Sequence, residues 1–186
     1  VVGDDAVAAL AGSQGARRLN EAIAEAAPRL VARCRVLHAS GPRGIQEARA
    51  RHATLPAAAR ARYRIEPFLD AAAMADALAA ADLAVCRAGA STLGELPARA
   101  LPAILVPLPI AGGHQWPNAR VLEQAGAAIA VPDEALDGER LATEALALLD
   151  APERLAAMRR ASAALDAPRA ADDIGAALAM LAGRAA

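Results

Sequence analysis

Short apolar runs alternate along the whole chain with longer Ala-rich segments of helical period, and glycine or proline stands at nearly every junction. That alternation is the signature of βα units around a parallel sheet. The strands it predicts are 6–11, 35–39, 63–66, 83–86, 103–106 and 128–131, with helices near 16–31, 44–53, 71–80, 92–100, 116–125 and 139–149. Gly12, Gly15, Gly41, Pro42, Pro67, Gly89, Pro102, Pro107, Gly112, Gly113, Gly126 and Pro132 all fall at predicted element ends. From Pro152 onward the chain reads as two further helices, 152–165 and 169–183. There is no internal repeat and no linker long enough to separate one domain from another. The expected fold is one doubly wound, Rossmann-like α/β domain, in which ligands bind at the carboxyl ends of the strands.

Composition narrows the chemistry. At 186 residues the chain can form one domain that buries roughly 70% of its unfolded surface without disulfides or a metal. Aromatic residues make up only 2% of it, so the core must be aliphatic and stacking platforms for bases are scarce. Twenty basic residues against 21 acidic ones give none of the basic excess of a nucleic-acid binder, and no nucleic-acid partner is expected. Every basic residue is Arg, which removes a phosphate-loop lysine, a Schiff-base lysine and a Lys general base together. Cys34 and Cys86 sit singly in apolar runs, as in a reducing cytosolic setting. No apolar stretch has the length of a membrane span, and no positively charged segment leads into an apolar one at the start. The chain opens on Val1 rather than Met, almost against its first apolar run, as a piece of a longer protein would.

Attention falls on the residues after each strand. The first strand gives way to Gly12-Ser13-Gln14-Gly15-Ala16-Arg17, opening a helix. Two glycines let a ligand approach the backbone, and free N–H groups at a helix start favour an anion such as phosphate. The other reading is a tight turn with Ser13 as N-cap. After the fourth strand, Arg87-Ala88-Gly89-Ala90-Ser91-Thr92-Leu93-Gly94-Glu95 opens a second helix. Two such starts in neighbouring βα units can converge on one diphosphate. Glu95, one turn beyond Ser91, is placed to accept two hydrogen bonds from the vicinal hydroxyls of a ribose, or else to serve as a capping-box carboxylate. After the fifth strand, Gln115 and Asn118 are amides able to read sugar hydroxyls or to bond their own loop. His38 and His52 lack metal-ligand spacing, and no G-x-S-x-G nucleophile elbow occurs. Asp4-Asp5 and Asp172-Asp173 read as a terminal charge pair and a solvated helix face, and Trp116 as a loop cover or a stacking surface.

Taken in order, Gly12-Ser13-Gln14-Gly15-Ala16-Arg17, Val36-Leu37-His38-Ala39 with Gly41-Pro42, Pro67-Phe68-Leu69-Asp70, Cys86-Arg87-Ala88-Gly89-Ala90-Ser91-Thr92 with Glu95, Val106-Pro107-Leu108-Pro109, and Gln115 with Asn118 resemble the C-terminal half of the MurG glycosyltransferases. The resemblance runs from Gly12 to about Met158. Such enzymes move N-acetylglucosamine from UDP-N-acetylglucosamine to lipid I, giving lipid II for peptidoglycan. They have two Rossmann-like domains, the GT-B fold, and the C-terminal one holds most of the donor.

The resemblance implies that Ser13, Gln14 and Gly15 meet the donor, with Ser13 on the diphosphate. The Leu69 main chain would read the uracil edge, and Ala90, Ser91, Thr92 and Leu93 would wrap the phosphates. Glu95 would hold the ribose and Gln115 the sugar, with Asn118 beside it. It implies an inverting transfer that needs no metal or other cofactor. Residues 1–168 would form the UDP-sugar domain, and 169–186 a helix packing toward the N-terminal acceptor domain that binds lipid I. That half would carry the catalytic base and the membrane contact, placing the full enzyme on the inner face of the plasma membrane. Two departures stand out: Ala11 stands where such enzymes usually have Gly, which slightly restricts the loop but leaves both loop glycines, and Ile110-Ala111-Gly112-Gly113 stands where they often carry a more polar run, so the resemblance speaks more firmly for UDP than for the identity of the sugar. The competing readings are a stand-alone UDP-sugar-binding module and a UDP-sugar transferase of different specificity.

Overall fold

The computed structural model describes residues 5–11, 16–109 and 113–183. Six strands, β1 (Ala6–Leu10), β2 (Arg35–Ala39), β3 (Tyr63–Glu66), β4 (Leu83–Cys86), β5 (Ala103–Leu105) and β6 (Ala128–Ala130), form a sheet in the order β3-β2-β1-β4-β5-β6. Every pairing is parallel. The helices are α1 (Arg17–Val31), α2 (Gly41–Ala53), α3 (Ala57–Arg60), α4 (Ala71–Ala80), α5 (Thr92–Glu95), α6 (Gln115–Gln124), α7 (Gly138–Leu149), α8 (Pro152–Ala163) and α9 (Ala170–Gly183).

Side chains alternate across the sheet, so the apolar runs feed two cores. Val7, Ala9, Val36, Val85 and Ile104 face one side, where they meet Leu19, Ile23 and Leu30 of α1 and Leu141, Ala145 and Leu148 of α7. Ala8, Ala84, Cys86, Ala103 and Leu105 face the other, against Leu78 of α4, Leu122 of α6, and Leu96 and Leu101 of the intervening chain. Alanine-rich surfaces let helices approach closely. At Gly138, where α7 begins against α1, a Cβ would press on the Glu25 side chain and the Ala26 backbone. Cys34 lies in the first core and Cys86 in the second, and burial pushes the two thiols up to about 11 and about 12.

The pole opposite the strands' carboxyl ends is stitched by charge. Arg33 bridges Asp5 at 2.6 Å and Asp150 at 2.9 Å, which draws the start of β1 to the end of α7. Asp82 takes Arg159 at 2.5 Å and the Ala6 N–H at 2.9 Å, tying β1 to α8.

Three differences from the sequence reading have physical causes. The helix expected over 92–100 is one α-turn, α5, followed by a 3-10 turn at Pro97–Arg99, because Pro97 brings no N–H and Ala100 leaves in the left-handed region at φ 50°. α2 begins at Gly41 rather than near 44, with Pro42 in its first turn, where its missing N–H costs nothing. The short α3 and a 3-10 turn at Asp133–Ala135 carry too little apolar periodicity to be read beforehand.

The last helix stands apart in its packing. No residue of α9 is buried, and Ile174, Leu178, Met180 and Leu181 are each more than 60% exposed. Among the described residues no helix is long and apolar enough to cross a membrane.

Candidate functional site

β1 and β4 are neighbours, yet the chain leaves β1 toward β2 and β3 and leaves β4 toward β5 and β6. The connections therefore diverge, and a crevice opens beyond the carboxyl ends of these two strands. A cavity of about 310 Å³ lies there, within the range of small-ligand pockets. Its walls come from the end of β1 at Leu10, the β2–α2 turn at Gly41, the β3–α4 loop at Phe68 and Leu69, and the β4–α5 loop with Ser91 and Glu95.

The β3–α4 loop is held open by a cap. Asp70, itself extended, accepts the Ala73 N–H at 2.8 Å and starts α4, so Pro67–Leu69 stay outside the helix. Leu69 is buried, and neither its N–H nor its carbonyl bonds any described residue. Buried main-chain groups rarely stay unpaired, so among the described residues this edge is left open to water or a ligand. Phe68 beside it is exposed at the rim.

The β4–α5 loop is braced from three directions. Arg87 donates through Nη1 to Asp133 at 2.6 Å and to the Val106 carbonyl at 3.1 Å, pinning the loop to the ends of β5 and β6. Arg18 of α1 reaches the same Asp133 at 3.4 Å. The Thr92 hydroxyl donates to the Arg87 carbonyl at 3.1 Å, and Asn118 Nδ2 to the Ala88 carbonyl at 3.0 Å. Thr92 and Leu93 spend their N–H groups on the Gly89 and Ala90 carbonyls, whereas those of Ala90 and Ser91 bond no described residue. Four residues were expected to wrap an anion, and two of their N–H groups are open to one. α5 is a single turn, so individual donors carry this wall rather than a long helix dipole. The Glu95 carboxylate lines the cavity, exposed, and makes no bond to a described residue; the capping box is not formed.

Gln115 is buried, and its Oε1 accepts the Leu108 N–H at 2.9 Å, so one end of its amide serves the β5–α6 loop. The amide nitrogen of Asn118 is likewise committed, as the brace just described. Trp116 is half-buried in the first turn of α6. Ser13, Gln14 and Gly15 lie outside the described residues, as does the 110–112 run. The N-cap of α1 is Ala16, whose side chain offers no bond to the first-turn N–H groups. Among the described residues no three His, Cys, Asp or Glu gather as a metal site would need.

Beneath the crevice lies a group of buried polar residues around His38, which the sequence set aside as a metal ligand without showing its partners. His38 is fully buried between the Tyr63 hydroxyl, 2.7 Å from Nδ1, and Asn20 Oδ1, 2.8 Å from Nε2. Burial lowers its pKa to about 4 and raises that of Tyr63.

Residues 6–174 match the glycosyltransferase family 28 C-terminal domain. The chain is 44% identical over 168 residues to the UDP-N-acetylglucosamine--N-acetylmuramyl-(pentapeptide) pyrophosphoryl-undecaprenol N-acetylglucosamine transferase of Desulforudis audaxviator, covering 88% of this chain and 44% of the relative. It is 47% identical over 154 residues to the transferase of the same name from Mycobacterium bovis, covering 82% and 36%. The crystal structure of Acinetobacter baumannii MurG superposes with a TM-score of 0.80 at 30% identity, over 92% of this chain and 48% of that one. The chain thus spans less than half the length of the relatives it matches.

Proposed function

The chain belongs to the glycosyltransferase family 28 C-terminal domain, and from that membership we propose that it is the donor-binding half of an inverting glycosyltransferase that moves N-acetylglucosamine from UDP-N-acetylglucosamine to lipid I in peptidoglycan synthesis. The observation that carries this reading is the set of groups at one cavity that bond no described residue: the Leu69 main chain, the Ser91 N–H with that of Ala90 beside it, and the Glu95 carboxylate. They suit, in turn, a uracil edge, a diphosphate and a ribose diol. The glycine-rich 12–15 run, with Ser13, Gln14 and Gly15, would close the phosphate side from α1. Gln115 would meet the sugar through its amide nitrogen, which bonds no described residue, and Asn118 would act by holding the β4–α5 loop.

In the reaction the acceptor hydroxyl attacks the anomeric carbon as UDP departs, and configuration inverts. Negative charge grows on the leaving diphosphate. Open N–H groups already braced in place stabilise that charge without reorganising. These donors supply the stabilisation themselves, so no divalent cation is required in this reading. The base that deprotonates the acceptor, the lipid I site and the contact with the inner face of the plasma membrane belong to the N-terminal acceptor half.

Titration of the chain with UDP and UDP-N-acetylglucosamine tests the assignment. Glu95→Ala removes charge-assisted bonds worth about 1.5–3 kcal/mol, so UDP should bind roughly ten- to a hundredfold more weakly while the fold is kept. EDTA should leave the parent's binding unchanged. UDP affinity untouched by Glu95→Ala, or lost with EDTA, refutes the corresponding role.

A further inference from the structure

The buried polar group under the crevice has a direction that its chemistry imposes. The Ser40 carbonyl can only accept, so the atom facing it at 2.9 Å is Asn20 Nδ2. Asn20 therefore turns Oδ1 to His38 Nε2, which must carry the hydrogen. His38 Nδ1 is left as an acceptor, and the Tyr63 hydroxyl donates to it. Three donors thus point one way, from Tyr63 on β3, through His38 on β2 and Asn20 on α1, to the turn that leads into α2. All four residues are buried, and reversing any one of the three side chains alone would set two acceptors face to face.

The ends of this relay meet the two sides of the cavity. Ser40 donates its N–H at 2.9 Å to the Glu66 carbonyl, the last residue of β3 before the Pro67–Leu69 stretch, and its neighbour Gly41 lines the cavity. Asn20 lies in the first turn of α1, its N–H on the Ala16 carbonyl at 2.8 Å, where the glycine-rich run hands over to the helix. The Ser40 peptide is hence clamped between the loop that would read a base and the helix that would receive phosphate. Gly44 of α2 leaves the room this needs, since a Cβ there would collide with Asn20 Nδ2.

We propose that Asn20, oriented by His38 and Tyr63, is a positioning residue that fixes the separation between the base-reading and phosphate-reading walls of the site. The proposal rests on the nucleotide reading given above. A ligand that must touch both walls at once gains affinity from their fixed spacing, whereas one that touches a single wall does not.

Calorimetric titration of the folded chain and its variants with UDP and with uridine separates the two cases. Asn20→Ala should weaken UDP about tenfold or more and uridine by less than about threefold. Gly44→Ala, which keeps every member of the relay but displaces Asn20, should act in the same sense, and Tyr63→Phe more weakly so. Equal losses for the two ligands, or unchanged UDP binding in folded Asn20→Ala and Gly44→Ala, overturn the proposal. If Asn20→Ala does not fold, Tyr63→Phe decides, because it removes only one hydroxyl from the relay and leaves the packing intact, and unchanged UDP binding in it then overturns the proposal. A parent chain that binds neither ligand would instead overturn the nucleotide reading, and the positioning role with it.

Discussion

His38 is neutral in the folded chain because nothing around it rewards a charge. Burial holds its pKa at about 4, while in the unfolded chain it titrates near the ordinary value of 6.5. Below pH 6.5 the unfolded state takes up a proton that the folded state refuses, so the contribution of His38 is full above that pH. It is lost progressively as pH falls toward 4, then levels off. The whole effect is on the order of 3 kcal/mol, because each tenfold drop in proton affinity is worth about 1.4 kcal/mol. Urea unfolding at pH 7, 5.5 and 4 should show this loss, and His38→Gln should remove that part of the slope. A slope unchanged in His38→Gln would show that other groups carry it. None of this is legible in the sequence, where His38 is a histidine at a strand end with no ligand spacing. Its partners Asn20 and Tyr63 are 18 and 25 residues away, and only the parallel β2–β3 register and the return of α1 over the sheet bring them together. Glu95, by contrast, could be singled out beforehand, because one turn of chain links it to the small-residue loop it accompanies.

At the level of elements, the apolar runs located all six strands to within a residue at each end, since a strand covered on both faces must be apolar throughout. The helix after β4 resisted the same reading. Its periodicity continues through residue 100, but Pro97 removes a backbone donor and Ala100 turns left-handed, so the chain tightens into a 3-10 turn and drops into β5. An alanine in that region carries a steric penalty that glycine avoids. Ala100→Gly should therefore stabilise the fold by roughly 0.5–1 kcal/mol, even though glycine adds chain entropy to the unfolded state. A thermal midpoint that falls on this substitution would show that Ala100 is relaxed where it stands. The break has a further effect on the site: it leaves α5 as one turn, so an anion seated at the β4–α5 loop would meet donors braced by Arg87, Thr92 and Asn118 rather than an extended dipole.

For the whole molecule, α9 is the element that the domain itself does not explain. Its apolar positions Ile174, Leu178 and Leu181 recur at helical spacing yet find no cover, and burying them would be favourable. We propose that this helix docks on the N-terminal acceptor half. Hydrogen exchange across 170–183 should be fast in the isolated chain and slowed when that half is attached; protection equal to the central strands in the isolated chain would rule the docking out. The sheet also partitions the chain's sulfur chemistry. Cys34 and Cys86 sit on opposite sides of it, each held as a thiol by burial, and Cys86 also borders the cavity. With no lysine in the chain, these two sulfurs are its natural handles for covalent probes. One reports on the breathing of the layer that α1 and α7 cover, and the other on the layer where a nucleotide would seat.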